Sequence, residues 1–331
     1  MTTRHDTLPK VAGAILLSAA TLGITAQKRR HRRVLEGRGD ELFFRTTRGS
    51  VLSYTFREAS ASRTARPTVL VLESGLLTTD THWSWFRHLL GDDHPILSYD
   101  RAGYGRSEYA SNTPFDLRSS VLDLEELVRH VCGDRPIVLV GHSLGGYLAM
   151  RATASMADIA RGLILLDPTH PGQLLRSSAQ KNGARSTHNI LSLMAESARL
   201  GLGLLLAAPP WSTELPQKES KLYLDQFRDW KMWAAAKREW SAAEKEFLGF
   251  DGTLPKVPVP TLLIAAGHTH ATDRISSDLH EELVSVAPLG SVKVIADAKH
   301  TELLVKQKTA TQAVSYAREF LHEMGEGELE R

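Results

Sequence analysis

Ile137-Val-Leu-Val-Gly-His-Ser143-Leu-Gly-Gly146 runs directly into Tyr147-Leu-Ala-Met-Arg-Ala152. Its first four residues form an unbroken aliphatic run, the pattern of a strand buried on both faces. The closing stretch reads as a helix. Between them stands Gly141-His142-Ser143-Leu144-Gly145, a G-x-S-x-G sequence in the strand-then-helix setting that gives it meaning. So tight a turn forces Ser143 into a strained backbone conformation. Gly141 and Gly145 lack Cβ, so neighbouring chain can approach closely there. The Ser143 hydroxyl is lifted above the sheet edge, beside a helix N-terminus that favours negative charge.

On either side, short aliphatic runs alternate with helix-like stretches, the rhythm of a mostly parallel central sheet with helices on both faces. The expected strands are Val51–Phe56, Thr68–Glu73, Ile96–Tyr99, Ile137–Val140, Gly162–Leu166, Thr261–Ala265 and Val292–Ile295. Asp116 is placed to cap a helix with apolar stripe Leu117, Val121, Leu124, Val128 and Val131. A second stripe runs through Ala310, Ala313, Val314, Ala317, Phe320, Leu321 and Met324. The rhythm breaks once, over about ninety residues of helical character between Leu166 and Thr261 that are too long for a loop. The α/β core is therefore assigned to 36–167 and 259–331, and a helical cap to 168–258. Trp211, Trp230, Trp233 and Trp240 lie in that cap. Trp230 and Trp233, three apart on one helical face, either glue it to the body or line an apolar pocket.

Composition excludes several classes. The lone cysteine, Cys132, rules out an intrachain disulfide and reads as a small buried hydrophobe. The first 33 residues hold seven Lys and Arg against one Asp, a net +6, while the whole chain is +2; the body is thus −4. That is no nucleic-acid footprint. Residues 1–35 form a separate N-terminal segment. Val11–Gln27 has no charge and would reach about 26 Å as a helix, slightly short of a hydrocarbon core of roughly 30 Å. Lys28-Arg29-Arg30-His31-Arg32-Arg33 follows at once. A signal peptide, an arginine-rich organellar presequence and a membrane anchor all compete. The flank fits the anchor best and would keep the body on the cytoplasmic side.

Residues 50–325 resemble the α/β-hydrolases, on three features: the elbow G-H-S-L-G-G, the turn Tyr99-Asp-Arg-Ala-Gly-Tyr-Gly-Arg-Ser107 and a late strand followed by His300. The resemblance implies that Ser143 is a nucleophile with His300 as general base, in the chain order Ser, acid, His. It implies architectural roles for Asp100 and Arg101. The oxyanion donors would be the backbone N–H groups of Leu144 and Leu76, the latter after Ser74-Gly75 where relatives usually carry His-Gly. The acid is displaced: the slot three residues beyond Gly267 holds His270. Asp167, at a strand end beside Pro168, is the preferred carboxylate, with Asp273 the alternative. Serine at the elbow argues against members that use a carboxylate nucleophile. His268 and His270 form H-x-H without ligand partners at metal spacing, so no metal or cofactor is expected. The implied reaction is hydrolysis of an ester, or a related acyl bond, of a small hydrophobic substrate. The fold also hosts silent binding proteins, perhydrolases and acyltransferases. Oligomeric state is not readable from these patterns.

Overall fold

The computed structural model describes residues 7–60, 67–110 and 114–329, with side chains over 21–325 of that span. Eight strands form one sheet: β1 (Leu42–Arg45), β2 (Val51–Arg57), β3 (Val69–Glu73), β4 (Ile96–Asp100), β5 (Ile137–His142), β6 (Ala160–Leu166), β7 (Thr261–Ala266) and β8 (Gly290–Ile295). Their order is β1-β2-β4-β3-β5-β6-β7-β8. β1 and β2 pair antiparallel, β2 lies antiparallel to β4, and every other pairing is parallel.

The seven strands expected from sequence are present, and β1 is the addition. It is a four-residue edge strand with Leu42 and Phe43 exposed, so it has neither the length nor the alternation that marks a strand. By contrast β3, β4, β5 and β7 are buried throughout, as their unbroken aliphatic runs require. Because β3 through β8 run parallel, the loops after them open at one edge of the sheet, where sites of such sheets form.

The helices are α1 (Thr7–Glu36), α2 (Ser84–Leu90), α3 (Leu117–Cys132), α4 (Leu144–Ser155), α5 (Gln173–Arg176), α6 (Ser178–Arg199), α7 (Gln217–Phe227), α8 (Trp230–Leu248), α9 (Gly267–Thr272), α10 (Ile275–Ser285), α11 (Glu302–Val305) and α12 (Gln307–Leu329). α3 and α12 turn their apolar stripes inward, burying Leu117, Val121, Leu124, Val128, Ala310, Ala313, Val314 and Ala317. Cys132 closes the α3 stripe, and burial pushes its thiol up to about 12. Helices α5 to α8 fill the interval between β6 and β7.

Of the expected anchor, Val11–Gln27, the side chains of 11–20 lie outside the described residues. Among the described residues no helix is long and apolar enough to cross a membrane. The basic run after Gln27 instead lies against the body. Arg33 Nε donates to Asp225 Oδ2 (2.7 Å), His31 Nδ1 lies 2.9 Å from Asp229 Oδ2, and Val34 is buried. Residues 1–6 of that segment lie outside the described residues.

Asp116 caps α3, accepting from the backbone N–H of Ser119 at 2.8 Å and from its hydroxyl at 2.7 Å. Asp116→Ala should cost about 1 kcal/mol of stability, and Asp116→Asn should recover most of it. Urea midpoints at unchanged slope check this; equal midpoints for all three proteins would remove the cap from the account.

Candidate functional site

β5 ends at His142, and the chain reverses into α4 within one residue. Ser143 takes up that reversal at φ 54°, ψ −125°, a left-handed conformation unusual for a residue with a side chain. The bend is locked by its neighbours: Ser143 N–H donates to Leu166 O (3.1 Å), while Gly146 and Thr169 N–H donate to Ser143 O (2.9 and 3.0 Å). A Cβ at Gly145 would stand 2.2 Å from Ser74 O, so only glycine lets the β3 loop come this close. Two other non-glycine residues have positive φ among the described residues, Leu77 (57°) and Asp167 (42°). All three strained positions lie in loops after parallel strands, around one opening.

Asp167 follows β6 directly. Its Oδ2 is 2.6 Å from His300 Nδ1 and accepts from Thr269 Oγ1 at 2.6 Å; its Oδ1 accepts from Ala266 N–H at 3.0 Å. Burial alone would raise this carboxyl. The hydrogen bond and charge of His300, the nearby His280 and the Thr269 hydroxyl overcome it and hold the group below the ordinary carboxylate range. Asp273, the alternative carboxylate, instead accepts from Ser177 Oγ. His270, in the slot where relatives carry the acid, lies 2.9 Å from His280 Nδ1.

His300 lies five residues past β8, on the rim of a cavity of about 450 Å³ that Ser143 also lines. Among the described residues no hydrogen bond joins Ser143 Oγ to the imidazole. His142 steadies the His300 loop. Its Nε2 is 3.2 Å from His300 O, and because a carbonyl only accepts, Nε2 carries the proton. Burial first, and then the neighbouring His300, hold His142 well below its ordinary value, so it stays neutral.

The β3 loop is held from beneath by a buried guanidinium. Arg101 Nη1 donates to Ser74 O and to Glu73 Oε1 (2.7 Å); Nη2 donates to Gly75 O (2.8 Å) and Glu239 Oε2 (2.8 Å); Nε donates to Glu239 Oε1 (2.7 Å). Thr78 Oγ1 also donates to Gly75 O, and Trp83 Nε1 to Ser74 Oγ. With these carbonyls engaged below, the loop presents Leu76 to the cavity. Leu144 lines it too, and as the first residue of α4 its N–H has no acceptor within the helix. Arg101 has the architectural role that the resemblance implies, tying the β3 loop to α8 through Glu239. Asp100 keeps the role expected of it, its Oδ1 accepting from Asp80 N–H at 2.8 Å.

Further walls include Ala184 and Thr187 of α6, Trp240 and Phe247 of α8, and His268 and Thr269 of α9. Of the four tryptophans between β6 and β7, Trp240 of α8 lines the cavity. Trp233 is packed against Phe227 and donates to its carbonyl, and Trp230 stacks on His31 of α1. His142 and Thr269 were not singled out from sequence. Their only signal was adjacency, one beside Ser143 and the other inside the H-x-H pair.

A family model described as the alpha/beta hydrolase family matches residues 69–309, and the chain belongs to that family. Lipase LipV of Mycobacterium tuberculosis is 40% identical over 86 residues, 26% of this chain and 31% of the lipase. A proline iminopeptidase of Saccharolobus solfataricus is 39% identical over 71 residues, 21% of this chain and 23% of that protein. The matched stretches thus span a third or less of these relatives. Among solved structures, a thermophilic esterase from Thermogutta terrifontis superposes with TM-score 0.61 at 21% identity, covering 86% of this chain and 98% of that one.

Two outcomes follow from this arrangement. Glu239→Gln replaces a carboxylate that accepts from Arg101 Nε and Nη2 with an amide that can accept through one oxygen only, and should lower stability by about 1–3 kcal/mol in urea unfolding; a neutral effect would mean that Glu73 alone suffices. Separately, burial pushes His82, His170 and His280 each down to about 4, from an ordinary 6.5. Between those values the unfolded chain binds protons that the native one refuses. The contribution of these three imidazoles to stability is therefore full above about pH 6.5 and is lost as pH drops towards 4. A urea midpoint flat across that window would contradict the burial of neutral imidazoles.

Proposed function

We propose that the protein is a serine hydrolase that cleaves a carboxylic ester, or a related acyl bond, of a hydrophobic substrate through Ser143, His300 and Asp167. The observation that carries this reading is the contact of His300 Nδ1 with Asp167 Oδ2, at the rim of the cavity that Ser143 lines. An ionised Asp167 accepts the Nδ1 proton, which leaves Nε2 unprotonated and able to act as a base. The reaction needs Oγ to meet Nε2, a contact that commonly tightens only when substrate is bound.

His300 then takes the Ser143 proton as Oγ attacks the acyl carbon. The carbonyl oxygen becomes negative and is met by the N–H groups of Leu76 and Leu144. Collapse of this intermediate expels the alcohol, which receives the proton from His300. Water, deprotonated by His300, adds to the acyl-enzyme and releases the acid with Ser143 restored. Asp167 remains charged throughout and stabilises the imidazolium. Apolar walls at Leu76, Leu144, Ala184, Trp240 and Phe247 favour an apolar acyl or alkyl group. The lipase and esterase among the similar proteins favour an ester over an amide, whereas the iminopeptidase keeps the amide in the comparison.

Hydrolysis of p-nitrophenyl esters of increasing chain length, set against a prolyl amide, tests the reading. Ser143→Ala should abolish labelling by a fluorophosphonate and lower kcat by at least about 10³-fold. Asp167→Asn should lower kcat by about 10³–10⁴-fold, while Asp273→Asn stays near the parent. Activity lost only in Asp273→Asn would transfer the acid to that residue. Folded parent protein that neither labels nor turns over any ester would end the hydrolase reading.

A further inference from the structure

Large exposed apolar side chains are concentrated in one region. Leu200, Leu202, Leu204 and Leu205 follow α6 in close succession, with Leu205 80% exposed. Ile190 and Leu193 are exposed on α6 itself, and Leu22, 71% exposed, stands with Ile24 on α1. These stretches meet. Gly201, at φ +91°, sits so close to Gly23 that a Cβ there would be 2.4 Å from the Gly23 carbonyl carbon. The leucines flanking Gly201 and the apolar residues flanking Gly23 therefore share one surface. Such a cluster is larger than solitary exposed leucines can account for and marks a contact surface.

What covers it can be read from the charge beside it. One to three turns further along α1, Lys28, Arg29 and Arg32 are exposed and have no acidic partner among the described residues. The helix cannot swing away from the body, because Arg33 and His31 hold Asp225 and Asp229, and Gln27, Arg30 and Val34 are buried. The apolar cluster and the cations thus stand on neighbouring elements of one body, the cations on the outer face of α1. Exposed leucines after α6, beside unpaired cations on the neighbouring α1, are the arrangement of a surface that rests in a lipid headgroup layer, with the apolar groups in the acyl boundary and the cations on anionic headgroups. A second copy of this chain meeting the patch about a two-fold axis would bring like cations together.

We infer that α1 and the Leu200–Leu205 segment form a peripheral docking surface for an anionic lipid bilayer, on which the protein lies without spanning it. This inference is independent of the hydrolase reading, since none of these residues lines the cavity.

Co-sedimentation of the full chain with vesicles tests it. Binding is expected to vesicles of equal parts phosphatidylcholine and phosphatidylglycerol, to be much weaker with phosphatidylcholine alone, and to fall at high salt. A Lys28→Glu, Arg29→Glu, Arg32→Glu triple variant should bind the mixed vesicles at least about 100-fold more weakly. Leu202→Ser, Leu204→Ser, Leu205→Ser should also release the protein, with an unchanged thermal unfolding midpoint in both variants as the check on folding. The inference is overturned if the parent ignores mixed vesicles, or if it binds them but neither folded variant loses affinity. It is also overturned if the parent is a dimer in solution that the leucine variant converts to monomer, because a second copy then covers the patch.

Discussion

A guanidinium enclosed by protein binds three parts of this molecule to one another. Arg101 leaves the end of β4, reaches under the β3 loop to hold the carbonyls of Ser74 and Gly75, and meets Glu73 of the sheet and Glu239 of α8. A buried charge left alone would be costly, and two carboxylates on one guanidinium leave a net negative charge. Hydroxyls ease that excess: Tyr104 donates to Glu239 and Tyr99 to Glu73. Burial, and then the two neighbouring carboxylates, raise both phenols well above their ordinary value, so each keeps the proton it donates. Replacing the cluster with apolar side chains could pack as well, but it would take the guanidinium donors from both carbonyls of the β3 loop, leaving Gly75 O with Thr78 Oγ1. The cluster thus serves the geometry of the loop more than gross stability.

That loop must be fixed because the bend opposite it is strained. Left-handed backbone at a residue with a Cβ costs on the order of 1–3 kcal/mol, and it persists only where the surroundings over-determine it. Ser143, Leu77 and Asp167 all adopt it, on three loops that the sheet brings to one edge. The cost is carried by parts of the chain that are themselves well ordered. Ser143 is tied to β6 and to Thr169, and Asp167 N–H donates to Ile264 O in β7. Parallel strands supply this rigidity directly, because each loop inherits the register of the strand before it. The cavity is then walled by α6 and α8, whose attachment to the sheet runs partly through the same Arg101.

How much of this could be read beforehand follows from how local each feature is. The strand, bend and helix around Ser143 are legible because fewer than twenty consecutive residues contain the pattern. His300 is legible by its place after the last strand. β1 is not, since a half-exposed edge pair leaves almost no hydrophobic alternation. The reach of Arg101 to Glu239 spans 138 residues, and no periodicity links them. The basic run of α1 reads as a membrane flank in isolation because its partners, Asp225 and Asp229, lie nearly two hundred residues away. Helical spacing put Trp230 and Trp233 on one face, but spacing alone does not say whether that face meets a cavity or another helix. It is Trp240, a further two turns along α8, that reaches the cavity.

The contact of Asp167 with His300 shows how geometry and chain position can separate at a sheet edge. An imidazole over the edge of β5 and β8 can be approached from the end of β6 or from the end of β7, because those strands are neighbours in register. With Asp167 at the β6 end, the β7 turn is free of the need for a charge, and it contributes neutral donors instead. Ala266 N–H donates to Oδ1, and the Thr269 hydroxyl donates to Oδ2 beside His300 Nδ1, so both stabilise the negative charge. An aspartate at position 270 would place a second carboxylate beside the first, and like charges so close in a buried setting raise one another's affinity for protons. His270 avoids that repulsion and lies against His280, whose ring is kept neutral mainly by burial. One carboxylate with neutral company stays ionised, and an ionised acid is what aligns the imidazole.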